Sequence, residues 1–198
     1  IRNSSAFTGN AASKIQAQGV GSNAILASGD ATAVNLTQLG GTISAQADVF
    51  SANTGAGITA VLDAVQVTQS DNLINARSTA TNIRVAADHN SMLIGNIRST
   101  EGANALLTID NGSTFTGDVV ADSSSLANIT LNRSDSTSGT TLWIGSATNT
   151  NDVTLKSAGA EWVMTDNSTV ANLTNSGSII FGEQTRPENS FNTLTTRN

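Results

Sequence analysis

The 198 residues of this chain are enough for one sizeable hydrophobic core, yet only 12% are charged and one proline is present. The low charge and the scarcity of proline argue against a disordered linker. The formal net charge of -6 disfavours nucleic acid and anionic membranes as partners, because few cations are available to neutralise phosphates. Cysteine is absent, which is compatible with export of an unfolded chain and excludes a disulfide framework.

The first hundred residues contain short alternating apolar segments, with Gly or with Asn, Asp and Ser between them. The clearest of these predicted strands are residues 24–27, 33–36, 42–45, 82–85 and 92–94. Residues 57–67 fit either an amphipathic helix or a strand, and their β-branched content favours the strand. Because alanine is common in this half, we expect a thinly filled core before Leu106.

A repeat becomes visible in the second half of the chain. A short motif in which Thr alternates with branched apolar residues recurs about every 20 residues. Its repeats are marked by Ile109, Leu131, Leu155, Leu173 and Leu194. A second series with the same period is marked by Phe115, Trp143, Trp162 and Ile180. Two phase-shifted series of one period predict an all-β parallel solenoid with one coil per repeat, and the length then predicts about nine coils.

The segment from Glu161 to Phe181 contains strand, turn, strand, turn and strand in about twenty residues. Alternation places Trp162 and Met164 on one face, and Ile179 and Phe181 on one face. The sequence pattern of this segment resembles the end of the passenger domain of bacterial autotransporters, the proteins of type V secretion. The residues that carry this resemblance are Trp162, Met164, Leu173, Gly177, Ile179, Phe181 and Leu194.

The resemblance, which covers about residues 112–198, implies a right-handed, three-faced parallel β-helix. No linker interrupts the chain, which predicts a single domain over residues 1–198, and the dense aromatic and branched positions from Leu106 onward predict that 106–198 is the best-packed part. The resemblance implies that this part contributes to the segment that promotes passenger folding during secretion. The chain begins at Ile1 without an initiator Met or a signal peptide, so we expect it to be a fragment of a longer passenger.

The same resemblance implies a surface-exposed stalk of an adhesin or virulence factor. Such a stalk is exported across the outer membrane to the bacterial cell surface, and in the parent protein it is covalently attached to an outer-membrane barrel. The implied partners are a host surface protein or glycan, or a second passenger through self-association, and no nucleic acid is expected. A host-binding surface is kept as an alternative function in its own right.

A polysaccharide-active β-helix enzyme is the other alternative. Alternation places Asp118 and Asp122 on the same face of a strand, with Arg133 about half a coil away, and clustered acids beside a cation suit such chemistry. Solvated carboxylates that flank turns explain the same pattern. His89 is the single histidine, and no serine nucleophile motif or phosphate loop occurs, so we predict no catalytic residues, cofactor or metal in this chain.

Three further polar or aromatic sets have two interpretations each. Trp143 and Trp162 are either sugar-stacking platforms or inward core, and their branched neighbours favour core. Thr-x-Thr triplets suggest an ice-binding face, but their spacing is irregular, which disfavours that function. Asparagines predicted near coil corners form either self-pairing ladders between cells or bonds to turn backbone, and we prefer the second: Asn128, Asn149, Asn151, Asn172, Asn175 and Asn192.

Overall fold

The computed structural model describes residues 5–8, 14–182 and 192–197, and within these ranges every regular element is a strand. No helix long and apolar enough to cross a membrane occurs in this described part. In chain order the strands are β1 (Ser5–Thr8), β2 (Lys14–Ala17), β3 (Ile25–Ser28), β4 (Ala33–Ala45), β5 (Asp48–Asn53), β6 (Gly57–Gln69), β7 (Asn72–Arg77), β8 (Asn82–Asp88), β9 (Met92–Ile94), β10 (Asn96–Thr100), β11 (Asn104–Ile109), β12 (Thr114–Thr116), β13 (Val119–Ala121), β14 (Leu126–Leu131), β15 (Thr141–Gly145), β16 (Ala147–Thr148), β17 (Thr150–Leu155), β18 (Ala160–Met164), β19 (Ser168–Asn175), β20 (Ser178–Phe181) and β21 (Leu194–Thr196).

Three series of parallel strands form the three faces of a β-helix, which confirms the predicted fold class. Face 1 contains β1, the first half of β4 and of β6, and then β8, β11, β14, β17 and β19, with β21 paired to the start of β19. Face 2 contains β2, the second half of β4 and of β6, and then β9, β12, β15, β18 and β20. Face 3 is a separate six-stranded sheet of β3, β5, β7, β10, β13 and β16.

The two longest strands turn the corner between faces 1 and 2. β4 and β6 have 13 residues each, and each contains a residue of positive φ where it bends, Gln38 and Ala64. This bend joins faces 1 and 2 into one 15-stranded sheet. Residues 57–67 lie in β6, so the strand favoured by their sequence is confirmed.

The number of coils is smaller than predicted. The structure has about seven turns, against the nine expected from length alone. One inward column on face 1 shows the true advance of about 20 to 25 residues per coil: Ala60, Val85, Leu107, Ile129, Val153 and Leu173. Residues 132–140 add no strand, because they form the connection between β14 and β15. At the usual strand spacing the rod is about 30 Å long.

The core is a continuous set of inward columns that runs through both halves of the chain. Before Leu106 it includes fully buried bulky side chains such as Leu39, Phe50, Leu62 and Ile74, each with 0% exposure. The expectation of a thinly filled first half is therefore wrong. Alanines in this half lie among the bulky residues of the inward columns, as Ala60 does beside Leu62, so counting alanine alone underestimated the packing.

Candidate functional site

An apolar and aromatic column fills the inner side of face 2. Leu93, Phe115, Trp143, Trp162 and Ile179 are paired in register from β9 to β20. Ring centroids of Phe115 and Trp143 are 6.4 Å apart, and those of Trp143 and Trp162 are 4.4 Å apart with planes at 5°. Both indoles have 0% exposure, so the prediction of inward core is confirmed and the sugar-platform alternative is wrong.

The two indole rings are also tied to the backbone of the preceding coil. Trp143 Nε1 donates to the carbonyl of Gly117 and Trp162 Nε1 donates to the carbonyl of Gly145, both at 2.9 Å. Gly145 lies so close to the Gly117 carbonyl that a Cβ at position 145 would collide with it. The stack therefore depends on a close backbone approach at the corner that follows face 2.

Four of the residues that carry the resemblance, Met164, Gly177, Ile179 and Phe181, lie next to Trp162 in this stack or in the adjacent coil. Met164 is fully buried beside Trp162, and its carbonyl accepts from Gly182 N and from Asn192 Nδ2, each at 3.0 Å. Gly177 N donates to Asn175 Oδ1 at 2.9 Å in the turn before β20. A Cβ at Gly177 would collide with the carbonyl of Ala160, which explains a glycine at this point of the motif.

Register shows which motif residues share a face. Trp162 pairs with Ile179 and Met164 pairs with Phe181, so these four lie on the face predicted by alternation. Ile179 is half-buried and Phe181 is 45% exposed, because no described strand covers β20 on its far side.

The pairing of the strands differs from both predicted repeat series near the end of the chain. In the second series Ile179, rather than Ile180, continues the aromatic column, because Ile179 is the residue paired with Trp162. In the first series Leu173 pairs with Val153, one alternation step before Leu155. Leu194 pairs with Ser168 at the start of β19, away from the columns of Ile109, Leu131 and Leu155.

Asp118 and Asp122, the acidic pair of the enzyme alternative, accept hydrogen bonds from different coils. Asp118 precedes β13 and accepts from Ser146 N at 2.8 Å, whereas Asp122 follows β13 and accepts from Glu101 N at 2.6 Å. The backbone bond from Glu101 is the main cause that lowers the pKa of Asp122. Arg133 donates to the carbonyl of Ser136 at 2.8 Å, within its own loop. These bonds fit carboxylates that fasten turns.

The corner asparagines bind the backbone or polar groups of adjacent coils. Asn151 Oδ1 accepts from Ala127 N at 3.1 Å, and Asn128 Oδ1 accepts from Asp152 N at 3.2 Å. Asn172 Nδ2 donates to the Asp152 carboxylate at 2.9 Å. These bonds match the preferred interpretation, in which asparagine amides satisfy polar groups of the coils.

The remaining three asparagines lie in turns or in the last described coils. Asn149 has a φ of 53° and its Oδ1 accepts from Arg197 Nη1 at 3.2 Å. Asn175 accepts from the Gly177 backbone, and Asn192 is 3% exposed with its amide on the Met164 carbonyl.

Threonine forms one outward ladder on face 1 that the Thr-x-Thr triplets did not predict. Thr108, Thr130, Thr154 and Thr174 are paired in register on β11, β14, β17 and β19. The Thr-x-Thr triplets do not align, since Thr114 pairs with Leu142 on face 2. A double row of threonines, as an ice-binding face requires, is therefore not assembled in the described coils.

His89 lies at the corner after β8, with its side chain 65% exposed. Its Nδ1 is 2.8 Å from Asp63 Oδ1 and 3.8 Å from Asp88 Oδ2. The hydrogen bond with Asp63, followed by the charge of Asp88, raises the pKa of His89 above its ordinary value. No group of three or more metal-ligating side chains occurs in the described ranges.

The outer side of face 2 carries several apolar side chains, a feature that was not predicted from the sequence. We call six of them the face 2 strip; they alternate along the columns with the polar residues Thr114, Thr116, Glu161 and Ser178, and they are Met92, Ile94, Leu142, Ile144, Val163 and Ile180. Met92 is 55% and Ile180 46% exposed. The available signal was the unbroken apolar run at 142–144 and again at 179–181, where a half-buried strand would alternate.

A polar groove crosses the outer side of face 3. Two cavities of about 440 Å³ and 430 Å³ adjoin there, and Arg77 lines both. Along one outward column Ser51 pairs with Asn75, and Asn75 pairs with Arg98. Ser51 and Asn75 are only 8% and 2% exposed although they point outward, so they form the floor.

We call the outward surface of β5, β7 and β10 that these two cavities occupy the face 3 groove. The second outward column of the groove places Asn53 on β5, Arg77 on β7 and Thr100 on β10. Arg98 and Arg77 are exposed and both line the second cavity. This groove was not predicted from the sequence, because the residues that line it side by side come from coils more than 20 residues apart.

No family model matches the chain, and neither a curated protein nor a solved structure is significantly similar to it. The residues and their arrangement in the coils are therefore the basis for any functional conclusion.

Proposed function

We propose that this chain is a surface-exposed stalk of an autotransporter adhesin or virulence factor, and that its last coils promote passenger folding during secretion. The observation that carries the proposal is the pairing of the motif residues. Trp162 is paired in register with Ile179, and Met164 with Phe181. These residues lie in consecutive coils whose sequence pattern resembles the end of such passengers.

The physics of a solenoid supports a role for these coils in folding. Each coil contacts mainly its neighbours, so a well-packed coil acts as a template for the next one. The stacked indoles bury two large apolar side chains with their N–H groups satisfied, a combination that stabilises a local nucleus. A chain without cysteine can cross the cell envelope unfolded, with no disulfide to hinder it.

Display on bacteria tests the proposal. We would attach the chain to an outer-membrane barrel in a Gram-negative host and measure how much of it external protease removes. We expect display of the unmodified chain, and a several-fold reduction for Trp162→Ala. Unaltered display of Trp162→Ala would contradict the folding role, and failure of the unmodified chain to reach the surface would contradict the stalk function.

A matched variant separates a directional folding role from general stability. Leu36→Ala also removes a buried side chain, but from an early coil. We expect Leu36→Ala to reduce display less than Trp162→Ala when the two variants have equal melting temperatures. Equal reductions would show that display depends only on overall stability.

The face 3 groove favours a binding surface as a second function of the same stalk. The enzyme alternative has no comparable support, because the carboxylates of Asp118 and Asp122 are taken up by backbone and serine donors.

A further inference from the structure

The floor of the face 3 groove is a fixed polar network. Asp48 is 6% exposed, and its two oxygens accept from Asn72 Nδ2 at 2.8 Å and from Asn75 Nδ2 at 2.7 Å. Asn75 Oδ1 in turn accepts from Arg77 Nε at 3.1 Å. Because these side chains hold one another in place, the groove presents its polar groups to a ligand without further ordering.

One buried hydroxyl of this floor lacks a partner. Ser51 is 8% exposed and lines the first cavity, and its Oγ makes no hydrogen bond within the described ranges. A buried polar group that is left unpaired destabilises the fold, and a ligand that bonds to it relieves that cost. Ser51 therefore marks a point where the groove can hydrogen-bond a ligand.

The charges of the groove disfavour an ionic ligand. The carboxylates that line the two cavities keep their charge when they accept hydrogen bonds, so they repel an anion. A cation placed over the strands would instead meet Arg77 on β7 and Arg98 on β10. An uncharged ligand avoids both penalties. The four carboxylates and two guanidiniums, with a net charge of -2, are those of Asp48, Asp71, Glu101, Asp122, Arg77 and Arg98.

Free donors and free acceptors lie in the same groove. Arg98 makes no side-chain hydrogen bond or ion pair among the described residues, and the carboxylates of Asp71 and Glu101 accept none there. Neighbouring hydroxyls of a sugar ring both donate and accept, so one ring can bond to a guanidinium and to a carboxylate. Asn53 and Thr100 add an amide and a hydroxyl with the same dual capacity.

The groove continues from coil to coil along the rod. Ser51, Asn75 and Arg98 are in register on β5, β7 and β10, and each step between strands is about 4.8 Å. The two cavities, of about 440 Å³ and 430 Å³, are each within the usual size range of ligand pockets. This elongated shape suits a chain of sugars better than a single one.

We propose that the face 3 groove binds an uncharged oligosaccharide. The guanidinium of Arg98 donates to its hydroxyls, the carboxylates of Asp71 and Glu101 accept from them, and Ser51 bonds to the ring that lies deepest. This assignment names a ligand class for the binding surface proposed above and rests on that second function, but it does not depend on secretion.

Binding of the purified full chain to a printed array of oligosaccharides tests the ligand class. The probes are neutral oligosaccharides of glucose, galactose, mannose and N-acetylglucosamine, their sialylated or sulfated forms, and cationic chitosan oligomers. We expect at least one neutral probe to bind, and its acidic form to bind weaker by about tenfold or more, because like charges repel. Preference for an acidic or a cationic probe would overturn the proposal, and so would the absence of binding to every neutral probe.

Calorimetry with the strongest neutral probe then measures the effect of salt. An uncharged ligand forms no ion pair that salt could screen, so raising the salt from about 50 to about 500 mM should change the affinity less than about twofold. A larger loss of affinity would show that the ligand is held by its charge, which contradicts the proposal.

Two serine variants locate the ligand on the outer side of face 3. Ser51→Ala removes only a hydroxyl that has no partner within the described ranges, so the chain should keep its melting temperature and lose about three- to tenfold in affinity. Ser99→Ala is the matched control, because Ser99 is 0% exposed and its Oγ also lacks a partner in the described part of the chain, but it points inward from β10. Ser99→Ala should change the affinity less than about twofold. Unchanged affinity in Ser51→Ala, or an equal loss in Ser99→Ala, would overturn the site.

Arginine variants test the donor. Arg98→Ala should lose about tenfold or more in affinity, since hydrogen bonds from a charged group are the stronger ones. Arg84→Ala is the control, because Arg84 is exposed on face 1 and donates from Nε to Asn82 Oδ1 at 3.3 Å. An equal loss in Arg84→Ala would contradict binding on face 3. Since these measurements use the purified chain, failure of the binding site and failure of surface display are observed separately.

Discussion

Trp143 and Trp162 stack in adjacent coils of face 2 with their ring centroids 4.4 Å apart and their planes within 5° of parallel. The separation is close to the spacing of adjacent strands, so the rings repeat in step with the backbone ladder. Each indole N–H reaches a glycine carbonyl one coil before it, at 2.9 Å. This arrangement lets two large rings with polar groups be buried without an unsatisfied donor.

Replacing Trp162 with Ala should reduce the free energy of unfolding by about 3–5 kcal/mol, because it leaves a cavity in a fully packed stack. The Gly145 carbonyl would also lose its donor. Trp162→Phe keeps an aromatic ring but removes the N–H and part of the ring volume, so its cost should be smaller than that of Trp162→Ala. Urea unfolding followed by circular dichroism measures both variants, and an unchanged midpoint for Trp162→Ala would contradict the buried position of the ring.

Gly145→Ala should destabilise the chain by about 1–3 kcal/mol, since the new methyl group collides with the Gly117 carbonyl and forces adjacent coils apart. Gly139→Ala is the control, because a Cβ at position 139 meets no atom within 4 Å. Thermal melts of the two variants should therefore differ, with Gly139→Ala close to the unmodified chain. Similar melting temperatures would show that the corner can relax.

The fold class was predictable because inward residues recur at each coil. Ile109, Leu131 and Leu155 recur at a regular spacing in the sequence and are paired in register in the structure. The spacing alone therefore predicted that these residues form one inward column. The register was harder to predict at the end of the chain, where Ile179 and Ile180 are both apolar and only pairing with Trp162 distinguishes them. The number of coils depended on turn lengths that the period alone does not give.

The surfaces were much less predictable than the core. The face 3 groove forms only after Asn75, Arg77 and Arg98 from two coils are brought side by side. Neighbouring positions in such a groove are separated by a whole coil in sequence, and no local motif marks them. Asp118 and Asp122 show the opposite case, since they are close in sequence but are held by different coils.

The pKa of His89 should be above its reference value of 6.5, chiefly because of the hydrogen bond with Asp63. Asp88 and Asp135 add favourable charge from the same corner. A raised pKa in the folded state means that this stabilisation is complete below about pH 6.5 and is lost as pH rises through the folded pKa. Since His89 is the single histidine, NMR titration of its ring protons reads the pKa directly. Asp63→Asn should lower it, and no change would contradict the contact.

Hydrogen exchange should be slowest between residues 106 and 181, where the aromatic stack reinforces the backbone ladder. Face 2 of this part includes the stacked rings of Phe115, Trp143 and Trp162. The first half buries bulky aliphatic side chains as well, so the difference must come from the stack. Mass spectrometry of the exchanging chain compares the two parts. Equal or stronger protection in residues 14–80 would mean that 106–198 is not the most stable part.

The chain should associate weakly through the edge of its last described strand. β21 pairs on one side with the beginning of β19, and no other described strand covers its second edge, which leaves backbone groups free to template pairing. The net charge of -6 opposes association, but salt screens it over about 8 Å under physiological conditions. Sedimentation at increasing concentration should show a weak dimer, and Thr195→Lys should shift the equilibrium towards monomer, because a charged side chain on an edge strand discourages pairing.

Ile144→Lys on the face 2 strip is the matched comparison, since it adds the same charge to a sheet surface instead of an edge. Loss of the dimer with Ile144→Lys but not with Thr195→Lys would assign the contact to the strip, and a strictly monomeric chain at every concentration would refute the edge prediction.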